Sequence, residues 1–248
     1  MMEITIILIA SFLAGILNTI AGGGTFLTFP ALVFIGVPPV MANATSAVAV
    51  FPGYLGGALG FRDELGKLDR KQIIRLIIIT LVGGLIGSLL LLISSNKAFS
   101  LIVPFLLFGA TLAFLYGEKI RNWAAKKDKA VTPFGAAGLL LASIYGGYFN
   151  GGLGIVLLAL FALWGMTNIH EMNGLKSGLS FVLSAISVVV FAIGGLIDWH
   201  YALAMMLAST LGGYAGAPIA RALPKKIVRM IIAIVGFTMS AVFFYRLF

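Results

Sequence analysis

Apolar runs of about twenty residues recur along the whole of this 248-residue chain, and a helix of that length crosses the hydrocarbon core of a bilayer. Apolar residues make up 60% of the composition and charged residues only 10%. A soluble domain typically contains about 25% charged residues, most of them at its surface. The sequence therefore predicts an all-α, polytopic integral membrane protein.

The composition also excludes several kinds of site. The chain has no cysteine, which removes disulfides, thiolate metal sites, iron–sulfur clusters and cysteine nucleophiles. Its two histidines cannot build a haem or zinc site by themselves. The net charge of +9 comes mainly from Lys and Arg in short links between apolar runs, which encodes membrane orientation rather than nucleic-acid binding. We therefore predict no catalytic residues, no metal site, no cofactor and no nucleic-acid partner.

Six apolar segments have the length of ordinary membrane helices. They cover residues 42–61, 72–94, 98–117, 173–196, 200–220 and 227–247. Fourteen of the 17 basic residues lie in three links, at 62–75, 119–129 and 221–229. Because basic loops tend to stay on the cytoplasmic side, we expect all three links to be cytoplasmic. Counting crossings from these links places both termini on the outer side.

Two further apolar regions must enter and leave the membrane on the same side. Residues 131–172 join one cytoplasmic link to another, so they cross an even number of times, with their turn in the glycine-rich stretch 145–154. The N-terminal region has the same design, with arms at 3–20 and 25–36 around a glycine break. The second arm reaches about 18 Å, well short of the roughly 30 Å hydrocarbon core. We therefore predict two hairpins or re-entrant pairs of half-helices, the first opening outward and the second inward.

A shift of 129 residues matches the two halves of the sequence. The matched positions include Gly36 with Gly165, Asp69 with Asp198, and Gly83, Gly84 and Gly87 with Gly212, Gly213 and Gly216. At a shift of 130, Asn43 meets Asn173. Since the charge count gives the halves opposite sidedness, we predict two inverted-topology repeats, 1–124 and 131–248, joined by a basic linker at 125–130. Each repeat is a glycine-broken hairpin followed by three membrane helices, an architecture that many secondary transporters use for alternating access.

The residues around the two breaks resemble a known family. The first-half signature of the TauE/SafE sulfite exporter family is similar to residues 18–30 (NTIAGGGTFLTFP), 42–46 (ANATS) and 52–53 (PG). Its second-half signature is similar to residues 145–154 (YGGYFNGGLG), 173–176 (NGLK) and 195–199 (GLIDW), although members often have GAGAG where this chain has NGGLG. The resemblance implies a bacterial-type permease of the inner membrane for small sulfur oxyanions or organosulfonates, such as sulfite and sulfoacetate.

The glycine breaks are the first candidate for a substrate site. Backbone N–H groups freed inside hydrocarbon need a partner, and an anion at a helix N-terminus provides one. Alternatively, glycine at these positions serves only close helix contact, which is the role we assign to the glycines of the long spans. The residues assigned to substrate binding are Gly22, Gly23, Gly24 and Thr25 in the first break and Gly151, Gly152 and Gly154 in the second.

Four polar side chains near the starts of predicted spans supply further hydrogen-bond donors. Asn43, Thr45, Ser46 and Asn173 are suited to hold the oxygens of a sulfur oxyanion. The alternative is helix capping, because each of them opens a span after a turn.

Three further residues have two interpretations each. Asn18 and Asn150 flank the breaks, where they either cap a half-helix or contact the substrate. Lys176 is the only basic residue of the second half that lies within an apolar span and away from its ends. It either pairs with the substrate or extends to the cytoplasmic surface.

These expectations combine into an exporter that moves a small sulfur-containing anion across the lipid bilayer by alternating access. One rival is a carrier of another small anion or solute on the same fold; a cation carrier predicts intramembrane carboxylates, which the spans lack. Another rival is a membrane-embedded enzyme or assembly factor, which would need a nucleophile–base pair or a cluster of metal ligands within the spans. The sequence leaves open the exact substrate, the direction of transport, the energy coupling and the oligomeric state, with a homodimer among the alternatives.

The sidedness can be tested with reporters on the intact chain. A reporter that is active only outside the cytoplasm should be active when fused after Phe248 and inactive when inserted near Lys127, because these points lie on opposite sides of the bilayer. Finding both reporters on the same side would contradict the predicted topology.

Overall fold

A computed structural model of the chain describes residues 2–21, 23–66, 68–125, 135–222 and 225–245. All regular secondary structure in these ranges is helical. The helices are α1 (Met2–Ala21), α2 (Thr25–Phe34), α3 (Pro39–Gly60), α4 (Arg62–Leu65), α5 (Arg70–Ile93), α6 (Asn96–Ala125), α7 (Ala136–Phe149), α8 (Leu153–Leu163), α9 (Ile169–Ile193), α10 (Trp199–Ala222) and α11 (Lys225–Tyr245). Gly22 of the first break and residues 126–130 of the predicted linker lie outside the described residues.

The prediction of an all-helical chain is confirmed, and a helix occurs at the position of every predicted span. The spans begin one to four residues earlier than predicted, because the helices start at their caps rather than at the first apolar residue. Asp69 caps α5, since its side chain accepts a hydrogen bond from the N–H of Gln72. Asn168 caps α9 in the same way through the N–H groups of His170 and Glu171.

Two short helices, α2 and α8, follow the glycine breaks. The second break is shorter than the predicted turn at 145–154, because α7 continues to Phe149 and α8 begins at Leu153. With 10 and 11 residues, α2 and α8 reach about 15 Å and 17 Å, roughly half the hydrocarbon thickness. Each therefore starts in the interior of the bundle and ends towards one surface.

Both half-helices end in the same way. Gly36 follows α2 with φ +93° and Gly165 follows α8 with φ +83°, values that glycine adopts without strain. The N–H of Val37 donates to the carbonyl of Leu32, and the N–H of Met166 donates to that of Phe161, each at 3.0 Å. This six-to-one hydrogen bond over a left-handed glycine is the Schellman motif, which stops a helix and satisfies its last carbonyls.

Each hairpin packs against a long helix from the other half of the chain, α1 on α10 and α7 on α5. A Cβ on Gly83 of α5 would lie 2.9 Å from the carbonyl oxygen of Leu140, and one on Gly212 of α10 would overlap the carbonyl of Phe12. Because glycine has no side chain, the backbones of the two helices in each pair can touch at these positions. The prediction that these glycines serve helix packing is confirmed for Gly83, Gly84, Gly87 and Gly212.

The helices α3 and α9 form the centre of the bundle, where they pack on each other. The rings of Phe51 and Phe181 stack between them with centroids 5.0 Å apart. Along α3, every residue from 42 to 50 is buried, whereas Gly53, Leu55 and Gly56 are exposed. The first half of α3 is thus enclosed by protein, and the second half is partly exposed at the surface.

Large apolar side chains cover the outer surface. On α5 they recur along the whole helix and include Ile74, Ile78, Leu81, Leu85, Leu89 and Ile93. Among the described residues, two helices, Arg70–Ile93 and His170–Ile193, are long and apolar enough to cross a membrane by length and composition alone. An extended apolar surface of this kind suits contact with lipid rather than water.

Replacing Gly87 with alanine should destabilise the protein, because the added Cβ would overlap the carbonyl oxygen of Ile144 and lie 2.8 Å from the amide nitrogen of Tyr148. Overpacking against backbone that cannot move aside should lower the stability by about 2 kcal/mol or more. Thermal unfolding in detergent measures the effect. The matched control is Gly109→Ala in α6, where a Cβ meets no atom within 4 Å. Equal unfolding midpoints for the two variants would contradict the packing role of Gly87.

Candidate functional site

The first break is held by side chains from α1 and α3. The N–H of Gly24 donates to Oδ1 of Asn18 at 3.0 Å, so Asn18 satisfies a backbone donor at the start of α2. One turn into α2, the hydroxyls of Thr28 and Ser46 are 2.6 Å apart. Gly23, Gly24 and Thr25 are all buried. The bond to Gly24 agrees with the capping interpretation of Asn18, and Ser46 has a partner in the half-helix.

The second break turns sharply between α7 and α8. Asn150 follows α7, and Gly152 has φ +76°, a left-handed conformation that favours glycine. The hydroxyl of Tyr145 donates to the carbonyl of Gly151. The hydroxyl of Tyr54, on α3, donates to Oδ1 of Asn150 at 3.4 Å. Two tyrosines thus fix the turn, one from its own hairpin and one from the central helix.

The two breaks lie next to each other. A Cβ on Gly152 would be 3.6 Å from Cζ of Phe26, in the first turn of α2. The rings of Phe29 and Phe149 meet edge to face with centroids 5.7 Å apart. The N-termini of both half-helices therefore converge on one region inside the bundle.

This region offers hydrogen-bond donors without negative charge. The N–H groups of Gly152 and Gly154 form no hydrogen bond with described residues. The partial positive charge of a helix dipole is concentrated at such N-termini. Among the described residues, every buried polar side chain is an uncharged hydroxyl or amide. The arrangement is therefore suited to an anion and carries no carboxylate that would favour a cation.

Asn43 lies beside the end of α7. Its Nδ2 donates to the carbonyl of Tyr148 at 2.9 Å, while its Oδ1 is buried and has no hydrogen-bond partner among the described residues. Asn43 is not a cap, because α3 begins at Pro39 after Pro38. Asn43 can therefore offer a second amide N–H and a free oxygen to a ligand.

Thr45 and Ser46 have partners that join separate elements. Oγ1 of Thr45 accepts a hydrogen bond of 3.0 Å from the N–H of Asp198, at the start of α10. Ser46 meets Thr28, as described above. The capping interpretation is wrong for both residues, since each lies within α3 rather than at its first turn.

Lys176 and Asn173 form a second polar group. Nζ of Lys176 donates to Oδ1 of Asn173 at 3.2 Å, and both residues are partly buried. Because α9 begins at Ile169, Lys176 lies about two turns into the helix, deeper than the predicted span indicated. The capping interpretation of Asn173 is also wrong, because Asn168 is the cap.

The predicted site residues therefore fall into two groups rather than one. A Cβ on Gly57 of α3 would lie 2.8 Å from Oγ of Ser177, which follows Lys176. Asn43 precedes Gly57 by four turns, about 21 Å along the same helix. Asn43, Thr45, Ser46 and the breaks form one group, and Asn173 and Lys176 form the other, near the exposed half of α3.

Sequence reasoning missed Tyr54 and Tyr145. Tyr54 follows Asn43 by eleven residues, which is three helical turns and the same face of α3. That spacing could have identified Tyr54. Tyr145 was seen as part of the glycine-rich stretch, but nothing in the sequence indicates that its hydroxyl reaches the carbonyl of Gly151.

An apolar cleft of about 480 Å³ lies between α7 and α8. Its lining includes Leu141, Ile155, Leu160 and Leu163, with Tyr145 at one side. Leu141 is 68% exposed, so the cleft opens on the outer surface of the bundle. Its apolar walls do not suit an anion, although Tyr145 connects the cleft to the second break.

The chain matches the family described as "Sulfite exporter TauE/SafE" over residues 7–243. A probable membrane transporter protein of Haemophilus influenzae is 29% identical over 243 residues, covering 98% of this chain and 94% of that protein. The probable membrane transporter protein YfcA of Escherichia coli is 27% identical and covers 97% and 89%. YunE of Bacillus subtilis, described in the same words, is 24% identical over 94% of each chain. No solved structure matches the chain.

These relatives are described as transporters, and the family is one of exporters rather than enzymes, so the interpretation as a membrane-embedded enzyme is wrong. The resemblance seen around the two breaks is confirmed over nearly the full length. With its all-helical bundle, its apolar outer surface and its paired half-helices, this chain belongs to the TauE/SafE family of multi-pass membrane transporters.

Proposed function

We propose that the chain exports a small sulfur oxyanion or organosulfonate, such as sulfite or sulfoacetate, by alternating access. The observation that carries this proposal is the convergence of two half-helix N-termini in a buried region whose described side chains carry no charge. Backbone N–H groups there favour an anion, and the name of the family points to sulfite. An inside-negative potential would by itself drive expulsion of an anion.

The two halves, 1–124 and 131–248, act in this proposal as inverted repeats. Local structure at a shift of 129 residues supports the duplication. Gly36 and Gly165 end the two half-helices with the same hydrogen bonds. Asp69 accepts from the N–H three residues later, that of Gln72, and Asp198 accepts from that of Tyr201.

The contact between Phe51 and Phe181 supports an axis between the halves. These residues are 130 positions apart, as are Asn43 and Asn173, and their rings stack with an interplanar angle of 10°. In a two-fold arrangement, a residue touches its own counterpart only when both lie near the axis. The reciprocal packing of α1 on α10 and of α7 on α5 agrees with the same axis. Membrane transporters with inverted repeats bind substrate near such an axis.

Asn43 and the two breaks would bind the anion in the enclosed part of the bundle. The N–H groups around Gly152 and Gly154 would donate to its oxygens, and Asn43 would offer the amide proton that Tyr148 does not use. Asn18 and Ser46 would hold the first half-helix in place through their hydrogen bonds to Gly24 and Thr28, in addition to contacting the anion. Gly22, Gly23, Thr25, Thr45, Asn150 and Gly151 complete the proposed site.

Lys176 would supply the positive charge. Its bond to Asn173 uses one of three ammonium protons, so two remain for a ligand. Since Lys176 lies near the exposed half of α3, it would attract the anion at the cytoplasmic opening before the anion reaches the breaks. The basic links would make that side cytoplasmic, with the opening and Lys176 in the cytoplasmic half of the membrane and both termini outside.

The substrate class can be tested by binding. Sulfite, thiosulfate and short sulfonates should raise the unfolding temperature of the purified protein in a concentration-dependent way, because a ligand that binds the folded state stabilises it. Sulfate tests the preference among oxyanions, and a small alkylammonium salt at the same ionic strength is the control. Stabilisation by the alkylammonium ion alone would favour a cation carrier on this fold and contradict the proposal.

Replacing Lys176 with alanine should lower sulfite flux into liposomes by about 10–100-fold, the loss expected for a charge-assisted hydrogen bond. Lys176→Arg keeps the charge and should retain more flux than the alanine variant. The matched control is Lys97→Ala, since Lys97 is exposed at the start of α6. If Lys176→Ala and Lys97→Ala transport sulfite at the wild-type rate, Lys176 has no role in anion transport.

A further inference from the structure

Four serines form a row along α9. We name Ser177, Ser180, Ser184 and Ser187 the serine row. At 3.6 residues per turn they lie within an arc of about 80° and extend about 15 Å along the helix, half of the hydrocarbon thickness. Asn173 lies on the same face, one turn before Ser177. The row therefore continues inward from the polar group of Asn173 and Lys176.

Contacts on either side show where the serine row faces. Phe181 stacks on Phe51 of α3, and Leu183 lies 3.3 Å and 3.0 Å from a Cβ built on Gly84 of α5 and Gly146 of α7. On the helix, Phe181 and Leu183 lie about 80° to either side of the row's centre line. The row thus faces the space between α3 and the α7–α8 hairpin. The exposed residues Val189 and Ile193 lie on the opposite face, towards lipid.

Three of the four hydroxyls of the row are buried without partners among the described residues. Ser180, Ser184 and Ser187 are 1%, 0% and 2% exposed, and their Oγ atoms form no hydrogen bond with any described residue. A serine within a helix can satisfy itself by donating to the carbonyl four residues earlier, but these three do not. A buried hydroxyl without a partner costs about 1–3 kcal/mol, and hydrocarbon supplies no water to reduce that cost. Three such hydroxyls on one helix face, in line with Asn173, point to a polar ligand in the space they face, whereas a single one, such as Ser11 of α1, does not.

We infer that the serine row is a second oxyanion subsite, through which a sulfite or sulfonate anion passes between Lys176 and the breaks. The inference rests on the proposed function and names the route to its site. Tyr54 lies between the second break and the start of the serine row. Its hydroxyl donates to Asn150 at the break, and it precedes Gly57, which faces Ser177, by one helical turn. The ammonium group of Lys176 attracts the anion, and the serine hydroxyls then donate in turn to its oxygens without binding it too tightly to leave.

The chain is well suited to a labelling test because it has no native cysteine. Ser→Cys changes one atom, so Ser180→Cys and Ser184→Cys should fold. In everted membrane vesicles, 2-sulfonatoethyl methanethiosulfonate, itself a small sulfonate, should modify both cysteines at least tenfold faster than Ser11→Cys. Ser11 of α1 is the matched control, since it is 0% exposed and its hydroxyl also lacks a partner among the described residues. Lys71→Cys, at an exposed position in a link predicted to be cytoplasmic, sets the upper limit of reactivity.

Two further results are expected from the same variants. Saturating methanesulfonate should slow the modification, because it occupies the path; sulfite is unsuitable here because it cleaves the mixed disulfide. Relative to its rate at the exposed Lys71→Cys, a thiosulfonate reagent carrying a trimethylammonium group should react more slowly than the sulfonate reagent. Equal rates at Ser180, Ser184 and Ser11, or a higher relative rate for the cationic reagent, would overturn the inference.

Flux through the double variant Ser180→Ala and Ser184→Ala provides an independent measurement. Sulfite flux should fall about tenfold, while the unfolding temperature without ligand stays the same or rises, since no internal hydrogen bond is lost. Unchanged flux would overturn the subsite but leave the proposed function intact, provided that the wild-type protein is stabilised by sulfite. Absence of stabilisation and of flux in the wild-type protein would instead refute the proposed function.

Discussion

Backbone polar groups inside a bilayer must have partners, and the two glycine breaks are the places where this chain interrupts its own helical hydrogen bonding. The interruption is tolerated because each break lies inside the bundle rather than against lipid. Asn18 accepts from the N–H of Gly24 and Tyr145 donates to the carbonyl of Gly151, while the N–H groups of Gly152 and Gly154 have no partner among the described residues. Side chains of α1 and α3 contact the first and the second interruption, respectively.

Close backbone contact also supports the two breaks. Besides burying the apolar side chains of α2 and α8, the hairpins approach α5 and α10 closely at glycines. Dispersion contacts between closely packed backbones replace the hydrophobic effect, which is weak between helices in lipid. The same contacts keep the half-helix N-termini in register, because a rigid neighbour limits the movement of each break.

Much of this organisation could be predicted from the sequence. Hydropathy and the glycine breaks predicted where the helices lie and where they are interrupted, because these signals extend over many residues, whereas the sidedness from charge parity stays a prediction. The position of Lys176 was less accurate, because the cap at Asn168 extends α9 by one turn beyond its apolar run. The division of the polar residues into two groups could not be predicted, because Asn43 and Lys176 are on different helices and their separation depends on how α3 crosses α9. The stacking of Phe51 on Phe181 could not be predicted for the same reason.

The change in burial along α3 has a consequence for how tightly this protein will be seen to hold its ligand. Residues 42–50 are enclosed, whereas Gly53 and Leu55 are exposed. An equilibrium titration averages over all conformers. The apparent dissociation constant is therefore the intrinsic one divided by the fraction of molecules in the binding-competent conformation. Under the proposed alternating access, solution conditions that favour one access state would therefore shift the measured affinity without altering a single contact to the ligand.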